Sequence, residues 1–446
     1  MLIAQMSPAH INYRSRGIKF DAPFFYQFEN VNILVMNFVK RITKSGVTLY
    51  IFSMPAANSV ASGVMVNVGS RDEIMPNEAG LAHSFEHLFF QGTKKFPDQK
   101  SLAGYIENVG GFKNGFTYKE HTFFLNQVPF VEFELGVDFL SEQLQYSLLL
   151  EEKITKEINV ILQEIKRKQD NPKSLLYDLA YEAIFKDHPL GHPALGNEKS
   201  LLNLKREDFV NFMKRYYNSA NFTFFVAGRI DVDKAVEMFD KYFISEIPGE
   251  KNARIYQRPD LNIQKKFIFN KPINQVNMYI AAPVTEVGIK EKWCLDLFAS
   301  MIGSGMSSPL FEEIRDKRGL CYSISSAYHW RSDLGLFVIY MATAKERYKE
   351  AIDLVISIIE NNKNNEALLE KVKKKELGSL ALRFENPRNI IISAALATTT
   401  LGKPYGYEEV QEAIKDITIQ DIENVVDKYL KPEQFTTVLL APEDLK

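Results

Sequence analysis

The chain has 446 residues, of which 46% are hydrophobic and 25% are charged, and its formal net charge is −2 at pH 7. This length exceeds one ordinary core and predicts two domains of about 200 residues each, with the composition of a soluble globular protein. The near-neutral charge gives no sign of a nucleic-acid or membrane partner, and we expect neither.

The two cysteines, Cys294 and Cys321, are far apart in sequence, which excludes a disulfide-rich scaffold and a local cysteine metal site. A reducing compartment follows as the simpler interpretation, and we expect a cytoplasmic protein. No run of about 20 apolar residues is present, so no transmembrane helix is predicted. Residues 1–35 lack the apolar stretch of a secretion signal, and we interpret them as a poorly ordered extension or as the result of a misassigned start.

Alternating β-branched residues and helical periodicity predict the elements of the first half in chain order. We expect strands at 47–53 and 60–68, helices at 77–91 and 101–108, strands at 112–117 and 122–128, helices at about 131–148, 151–169, 173–185 and 206–217, and a strand at 222–227. Segment 246–262 contains Pro248, Gly249, Pro259 and many charges, which is typical of a linker.

After this linker the sequence pattern begins again. Asn386-Pro387 stands 215 positions after Asn171-Pro172. Further pairs follow at offsets of 215 or 213: Pro189 with Pro404, Gly191 with Gly406, Asp208 with Asp421, and Tyr216 with Tyr429. We interpret this as an internal duplication. The sequence therefore predicts two homologous α+β domains, 36–245 and 263–446, each a mainly antiparallel sheet flanked by helices.

One short motif carries chemistry. His83 and His87 are four residues apart in a predicted helix, so their imidazoles lie on the same face and can bind one ion. Zinc suits two imidazoles, and a catalytic zinc site adds a third protein ligand and an open position for water. Glu86 can reach that water as a base, which is the HxxEH arrangement. Manganese and cobalt stay open as alternatives, and so does a chance pair of surface histidines.

Sequence around this motif resembles the pitrilysin/insulinase family of zinc peptidases, whose members include the mitochondrial processing peptidases and short bacterial relatives. The resembling segments are Glu86-His87-Leu88-Phe89-Phe90-Gln91-Gly92-Thr93, Gly110-Gly111, Asn114-Gly115-Phe116-Thr117 and Glu120-His121-Thr122. The family's third zinc ligand is a glutamate about 77 residues after the second histidine, with another glutamate seven residues before it. Glu164 and Glu157 occupy these positions, so the resemblance implies Glu164 as metal ligand and Glu157 as the residue that orients a ligand.

The second half resembles the family in a different motif. Its residues are Gly303-Ser304-Gly305, Leu310-Phe311, Arg318-Gly319-Leu320, and the pair Arg315 and Tyr322. The resemblance implies that Arg315 and Tyr322 hold the substrate carbonyl and the tetrahedral oxyanion. It also implies substrate binding at an edge strand through Asn114, Gly115 and Phe116, where the family usually has alanine in place of Gly115.

These features together predict a zinc-dependent endopeptidase that binds one Zn²⁺ per chain and cleaves peptides or unfolded segments inside a closed chamber, with Glu86 activating a zinc-bound water. No HxxEH occurs after residue 260, so the second half has no zinc site of its own. The family then implies a homodimer with two composite sites, or a heterodimer with a related subunit. A non-catalytic or partner-dependent subunit of a processing peptidase is the alternative.

Overall fold

The computed structural model describes residues 38–244, 247–254, 258–261 and 264–445, and the predicted extension 1–35 lies outside them. The strands form two sheets, which confirms the predicted α+β class. The first sheet contains β1 (Val39–Ile42), β2 (Thr48–Ser53), β3 (Ser59–Val66), β4 (Phe112–Thr117), β5 (Thr122–Pro129) and β6 (Phe222–Gly228). The second contains β7 (Lys266–Asn270), β8 (Val276–Thr285), β9 (Cys321–Trp330), β10 (Leu334–Thr343) and β11 (Thr436–Ala441).

The two sheets have the same topology. The first has the order β1-β2-β6-β3-β5-β4 and the second the order β7-β11-β8-β10-β9. In each sheet one pair is parallel, β2 with β6 and β7 with β11, and the other pairs are antiparallel. Strands β4 and β9 are therefore equivalent edge strands. Apart from β1, which is an additional strand of the first sheet, the strand orders of the two sheets match, as the predicted internal duplication requires.

Helices cover both sheets. Those of the first half are α1 (Leu81–Leu88), α2 (Gln99–Glu107), α3 (Phe133–Tyr146), α4 (Glu151–Asp170), α5 (Pro172–Phe185), α6 (Glu198–Asn203), α7 (Arg206–Tyr216) and α8 (Val232–Tyr242). Those of the second half are α9 (Ile289–Gly303), α10 (Tyr348–Asn362), α11 (Glu366–Phe384), α12 (Pro387–Leu401), α13 (Tyr407–Lys415) and α14 (Ile419–Tyr429). No described helix combines the length and apolar character that crossing a lipid bilayer requires.

The repeated Asn-Pro dipeptides begin equivalent helices. The Asn171 side chain accepts the N–H of Ser174 at 3.0 Å at the start of α5, and the Asn386 side chain accepts the N–H of Arg388 at 3.0 Å at the start of α12. In both helices proline takes the first turn, where the absence of its N–H is harmless. The spacing of 215 thus marks the same helix start twice.

These two helices are exchanged between the halves. From the first half, α5 packs on one face of the second sheet, with Leu176, Ala180, Tyr181 and Ile184 against Tyr279, Leu336, Val338, Tyr340 and Leu440. From the second half, α12 packs on the first sheet, with Ile390, Ile391, Ala394 and Ala395 against Tyr50, Phe52, Met65, Phe123 and Phe225. Because the opposite face of each sheet packs on its own half's helices, both faces of both sheets are buried.

A buried polar contact also joins the halves. The Arg71 guanidinium bonds Oε1 of Glu120 at 2.6 Å and Oδ2 of Asp333, in the turn between β9 and β10, at 2.5 Å. The N–H of Ser332 donates to Oε2 of Glu120 at 3.0 Å. In the predicted linker, Arg254 bonds both carboxylate oxygens of Asp72. This part of the segment is therefore held against the first half.

Candidate metal centre

The histidine-bearing helix α1 is shorter than the predicted 77–91. Gly80 precedes it with φ of 90°, in the left-handed region that glycine adopts readily, so the helix begins at Leu81. The buried Glu73 accepts the N–H of Gly80 at 3.0 Å and the N–H of Ala82 at 2.8 Å. This carboxylate satisfies donors that a helix start leaves unpaired and fixes the position of α1.

Helix α1 directs His83 and His87 towards Glu164 on α4. Nε2 of His83 lies 3.8 Å, and Nε2 of His87 lies 3.7 Å, from Oε2 of Glu164. The three residues offer ligand atoms that all lie within 4.8 Å of one another. Tetrahedral zinc with bonds near 2.05 Å needs ligand separations of about 3.3 Å, so small side-chain shifts would complete the set. Two imidazoles and one carboxylate are also the donor types of a catalytic zinc site.

Glu157 lies behind the second histidine. Nδ1 of His87 is 3.2 Å from Oε2 of the buried Glu157, which leaves Nε2 on the side of Glu164. Burial opposes a charged imidazole, but the Glu157 hydrogen bond and the nearby carboxylates raise the pKa of His87 above its usual value. For His83, burial together with the charges of His87 and Lys168 lowers the pKa to about 3. At neutral pH His83 is therefore a neutral imidazole, which is the form that binds a metal ion.

Glu86 is held by strand β4. The Thr117 hydroxyl donates to Oε2 of Glu86 at 2.7 Å. A Cβ at position 115 would lie only 2.8 Å from Cγ of Glu86, so the glycine found there lets this side chain pack directly on the strand. Burial raises the pKa of the Glu86 carboxyl above its usual value. These contacts fix a carboxylate beside the histidines without bringing it into the ligand set.

A cleft of about 740 Å³ opens at this place, and we call it the zinc cleft. It is lined by His83, Glu86 and Glu164, by Gly115 to Thr117 on β4, by Tyr118 directly after that strand, and by residues of α4 and α5. Two of the predicted substrate-binding residues, Gly115 and Phe116, line it, whereas Asn114 is outside its lining. Because β4 is the last strand of its sheet, it offers a free backbone edge to an extended chain.

Arg315 and Tyr322 are brought together with each other but are not part of this cleft. The guanidinium of Arg315 lies 4.9 Å from the ring of Tyr322 and 4.6 Å from the ring of Phe311. Tyr322, at the start of β9, has 78% of its surface exposed. Neither Arg315 nor Tyr322 lines the zinc cleft. Within one chain, the predicted oxyanion-binding pair thus lies outside the cleft at the candidate metal ligands.

Sequence reasoning missed Thr117 and Glu73, which position the site from outside the ligand set. A signal for Thr117 existed, since Gly115 and Thr117 alternate along a strand and therefore face the same side. No such signal exists in the sequence for Glu73. An irregular segment separates this residue from α1, and tertiary packing sets the path of that segment.

Two family models match the chain. Residues 50–198 match the model described as Insulinase (Peptidase family M16), and residues 203–376 match the model described as Peptidase M16 inactive domain. A Rickettsia felis protein described as an uncharacterized zinc protease is 33% identical over 408 residues, which cover 90% of this chain and 97% of that protein. The Bacillus subtilis protein YmxG, also described as an uncharacterized zinc protease, is 28% identical over 91% of this chain and 98% of its own length.

Solved structures share the fold. A protease from Helicobacter pylori superposes with a TM-score of 0.84 at 21% identity, over 92% of this chain and all of that one. A Pseudomonas fluorescens structure described as a peptidase M16 inactive domain gives a TM-score of 0.83 at 18% identity, over 92% of this chain and 99% of its own. At these identities the likeness establishes the two-domain fold.

Proposed function

The chain belongs to the insulinase family of peptidases, family M16, and from that membership we propose that it is a zinc-dependent endopeptidase. One observation carries the proposal: His83, His87 and Glu164, from two helices far apart in sequence, offer ligand atoms within 4.8 Å of one another. The donor set suits zinc, and relatives described as zinc proteases support that choice of ion.

When bound, a zinc ion supplies Lewis acidity to water and to a peptide carbonyl. Glu86 is the base that takes a proton from the attacking water, and the Thr117 hydroxyl, which donates to its Oε2, holds the carboxylate in place. The raised pKa of the buried Glu86 carboxyl moves it towards the range in which a general base works well near neutral pH. Glu86 then returns the proton to the nitrogen of the departing amine.

The substrate is a peptide or an unfolded segment, bound in extended form along β4. Backbone groups of Asn114, Gly115 and Phe116 on this edge strand pair with the substrate as an added strand, which suits any sequence and disfavours folded proteins. Glu157 keeps the His87 imidazole oriented throughout, through its 3.2 Å contact with Nδ1.

The working form in this proposal is a homodimer with two composite sites inside a closed chamber. Arg315 and Tyr322 of one chain face the zinc cleft of the other, where they hold the substrate carbonyl and the oxyanion. Two observations support this: the pair lies outside its own chain's cleft, and Tyr322 is largely exposed. Both cysteines are buried and unpaired, which suits the reducing environment of the cytoplasm.

The second candidate function is a non-catalytic or partner-dependent subunit of a processing peptidase. The match of residues 203–376 to a domain described as inactive favours it, since half of the chain then has no catalytic role of its own. The retained ligand set in residues 50–198 favours the first candidate.

Metal analysis and cleavage of a quenched peptide separate the two candidates. We expect the purified wild type to contain zinc and to cleave, and Glu86→Gln to keep the zinc while its activity falls by about 10²–10⁴-fold. Glu152→Gln removes an exposed glutamate of α4 and is the matched control, which should behave as wild type. Equal inactivity of wild type and Glu86→Gln would refute the peptidase proposal.

Mixing two inactive proteins tests the composite site. In a mixed dimer of Glu86→Gln and Arg315→Ala chains, one site receives both an intact Glu86 and the partner's intact arginine. Random pairing should therefore restore about a quarter of wild-type activity. If no activity returns although differently tagged chains co-purify, which shows that subunits have exchanged, composite sites are excluded. The proposal that each chain is a peptidase by itself is then unaffected.

A further inference from the structure

The second half contains a cavity at the position equivalent to the zinc cleft. The zinc cleft lies between α1, the edge strand β4 and α4, whereas this cavity of about 520 Å³ lies between α9, the edge strand β9 and α11. The offset of 215 relates lining residues of the two: Lys168 corresponds to Arg383 and Leu195 to Val410. We call it the second-half cavity. The second-half cavity thus has a concave shape like that of the zinc cleft, but its lining has no counterparts of the candidate metal ligands His83, His87 and Glu164.

Aromatic rings form much of its wall. Both tryptophans of the chain, Trp293 and Trp330, line the cavity, and their ring centroids are 4.9 Å apart in an edge-to-face arrangement. Tyr405 also lines it, with its ring 6.1 Å from that of Trp293. Electron-rich ring faces attract cations, and tryptophan does so most strongly.

Two carboxylates complete the wall. Asp296 accepts the indole N–H of Trp330 at 3.2 Å, and Glu376 accepts the hydroxyl of Ser300. Within the described part of the chain, neither carboxylate forms an ion pair, although Arg383 also lines the cavity. The charged side chains that line the cavity are thus two acids and one guanidinium, and the Lys403 ammonium lies 4.8 Å from the Tyr405 ring.

We propose that the second-half cavity binds an alkylammonium group, supplied by a free organic amine or by the lysine side chain of a peptide. The ammonium group would donate to Asp296 and Glu376, and the carbon chain would lie against Trp293, Trp330 and Tyr405. An apolar, aromatic wall suits an organic cation better than a hydrated metal ion, which needs several oxygen ligands. This site is independent of the zinc cleft and of its activity.

Tryptophan fluorescence of the full chain tests the proposal, because both tryptophans of the protein line this cavity. Phenethylammonium is titrated against 2-phenylethanol, and Nα-acetyl-lysine amide against Nα-acetyl-norleucine amide. Within each pair, only the first compound has an ammonium group. The first pair represents a free organic amine, and the second represents the lysine side chain of a peptide. We expect a saturable change at ammonium concentrations about tenfold or more below those of the neutral partner. The pair with the lower half-saturation identifies the source.

Asp296→Asn and Glu376→Gln keep the acceptors for Trp330 and Ser300 while removing charge, so each should reduce the preference for the ammonium probe by about tenfold. Asp353→Asn, an exposed position on α10, is the matched control and should keep the wild-type preference. A far-UV circular dichroism spectrum equal to that of wild type shows that each variant is folded. Equal response to charged and neutral probes, or a preference that survives both cavity substitutions, would overturn the proposal.

Discussion

The zinc cleft and the second-half cavity occupy the same place in two copies of one architecture, yet they offer different chemistry. In the first, α1 and α4 present His83, His87 and Glu164. In the second, α9 and α11 present Asp296 and Glu376 beside Trp293. In both copies a sheet edge flanked by two helices provides the concavity, and the side chains that line it determine which class of ligand it suits.

Of the substitutions considered, Glu164→Gln should have the largest effect, and that effect should be confined to the zinc cleft. The amide is a poor zinc ligand, so we expect zinc content to fall from about one ion per chain to near zero and peptide cleavage to disappear with it. Ser379→Ala, at the corresponding position of α11, is the control and should retain both. Metal analysis and a peptide assay measure the outcome. Full zinc occupancy in Glu164→Gln would exclude this carboxylate from the ligand set.

Glu157→Gln weakens the orientation of His87 without removing a ligand. We expect zinc affinity to fall by about 10–100-fold, because the loss of a residue that hydrogen-bonds to a metal ligand has an effect of this size. Competition with a chelator measures the affinity, and activity should return when zinc is added in excess. If chelator resistance matches that of wild type, the 3.2 Å contact with Nδ1 of His87 has no role in metal binding.

Thr117→Val removes the hydroxyl that holds Glu86 and keeps the shape of the side chain. We expect kcat to fall by about tenfold while KM and zinc content stay near wild type, since one hydrogen bond to a charged group is lost. Thr117→Ser retains the hydroxyl and should restore most of kcat. A loss confined to KM would indicate instead that Thr117 contacts the substrate.

The two halves share a buried histidine at the contact with the exchanged helix, and we expect these two histidines to make the stability of the protein depend on pH. His121 contacts Thr399 of α12 at 3.0 Å, and His329 contacts Tyr181 of α5 at 3.2 Å, so each half holds a histidine against the helix it receives. Burial lowers the pKa of both to about 3. Because the folded state resists protonation, stability is fully present above the unfolded pKa near 6.5 and is lost as pH falls below it.

From pH 7.5 to pH 6, each histidine should reduce the free energy of unfolding by about 0.8 kcal/mol. Denaturant titration of the zinc-free protein at the two pH values measures this difference. His121→Gln and His329→Gln should each remove their own share, and a double variant should remove both. Equal pH dependence in wild type and in the double variant would show that other groups are responsible.

Local sequence signals predicted many of the elements. Strand β4 was predicted at its observed bounds, 112–117, because Gly110-Gly111 precedes it and alternation continues through it. The Asn-Pro dipeptides marked the starts of α5 and α12. Helix α8 was missed although both signals were present: Asp231 caps it, accepting the N–H groups of Asp233 and Lys234, and Val232, Ala235, Val236 and Phe239 recur at helical spacing. The predicted helix 77–91 was too long, since the conformation of Gly80 depends on Glu73.

The exchange of α5 and α12 could not be predicted. Periodicity tells which face of a helix is apolar, but Tyr181 or Ile391 would suit either sheet equally well. For the site, spacing and resemblance identified His83, His87 and Glu164 as a set, and the structure brings them together. The contact of Thr117 with Glu86 depends on how β4 lies against α1, which the sequence leaves open.

The exchanged helices also constrain how the protein is made. During translation, the strands carrying Tyr50, Phe123 and Phe225 emerge long before residues 387–401, which cover that face of the first sheet. N-terminal domains generally fold first, as the ribosome releases them. Here that aromatic face of the first sheet stays uncovered until residues 387–401 have left the ribosomal exit tunnel.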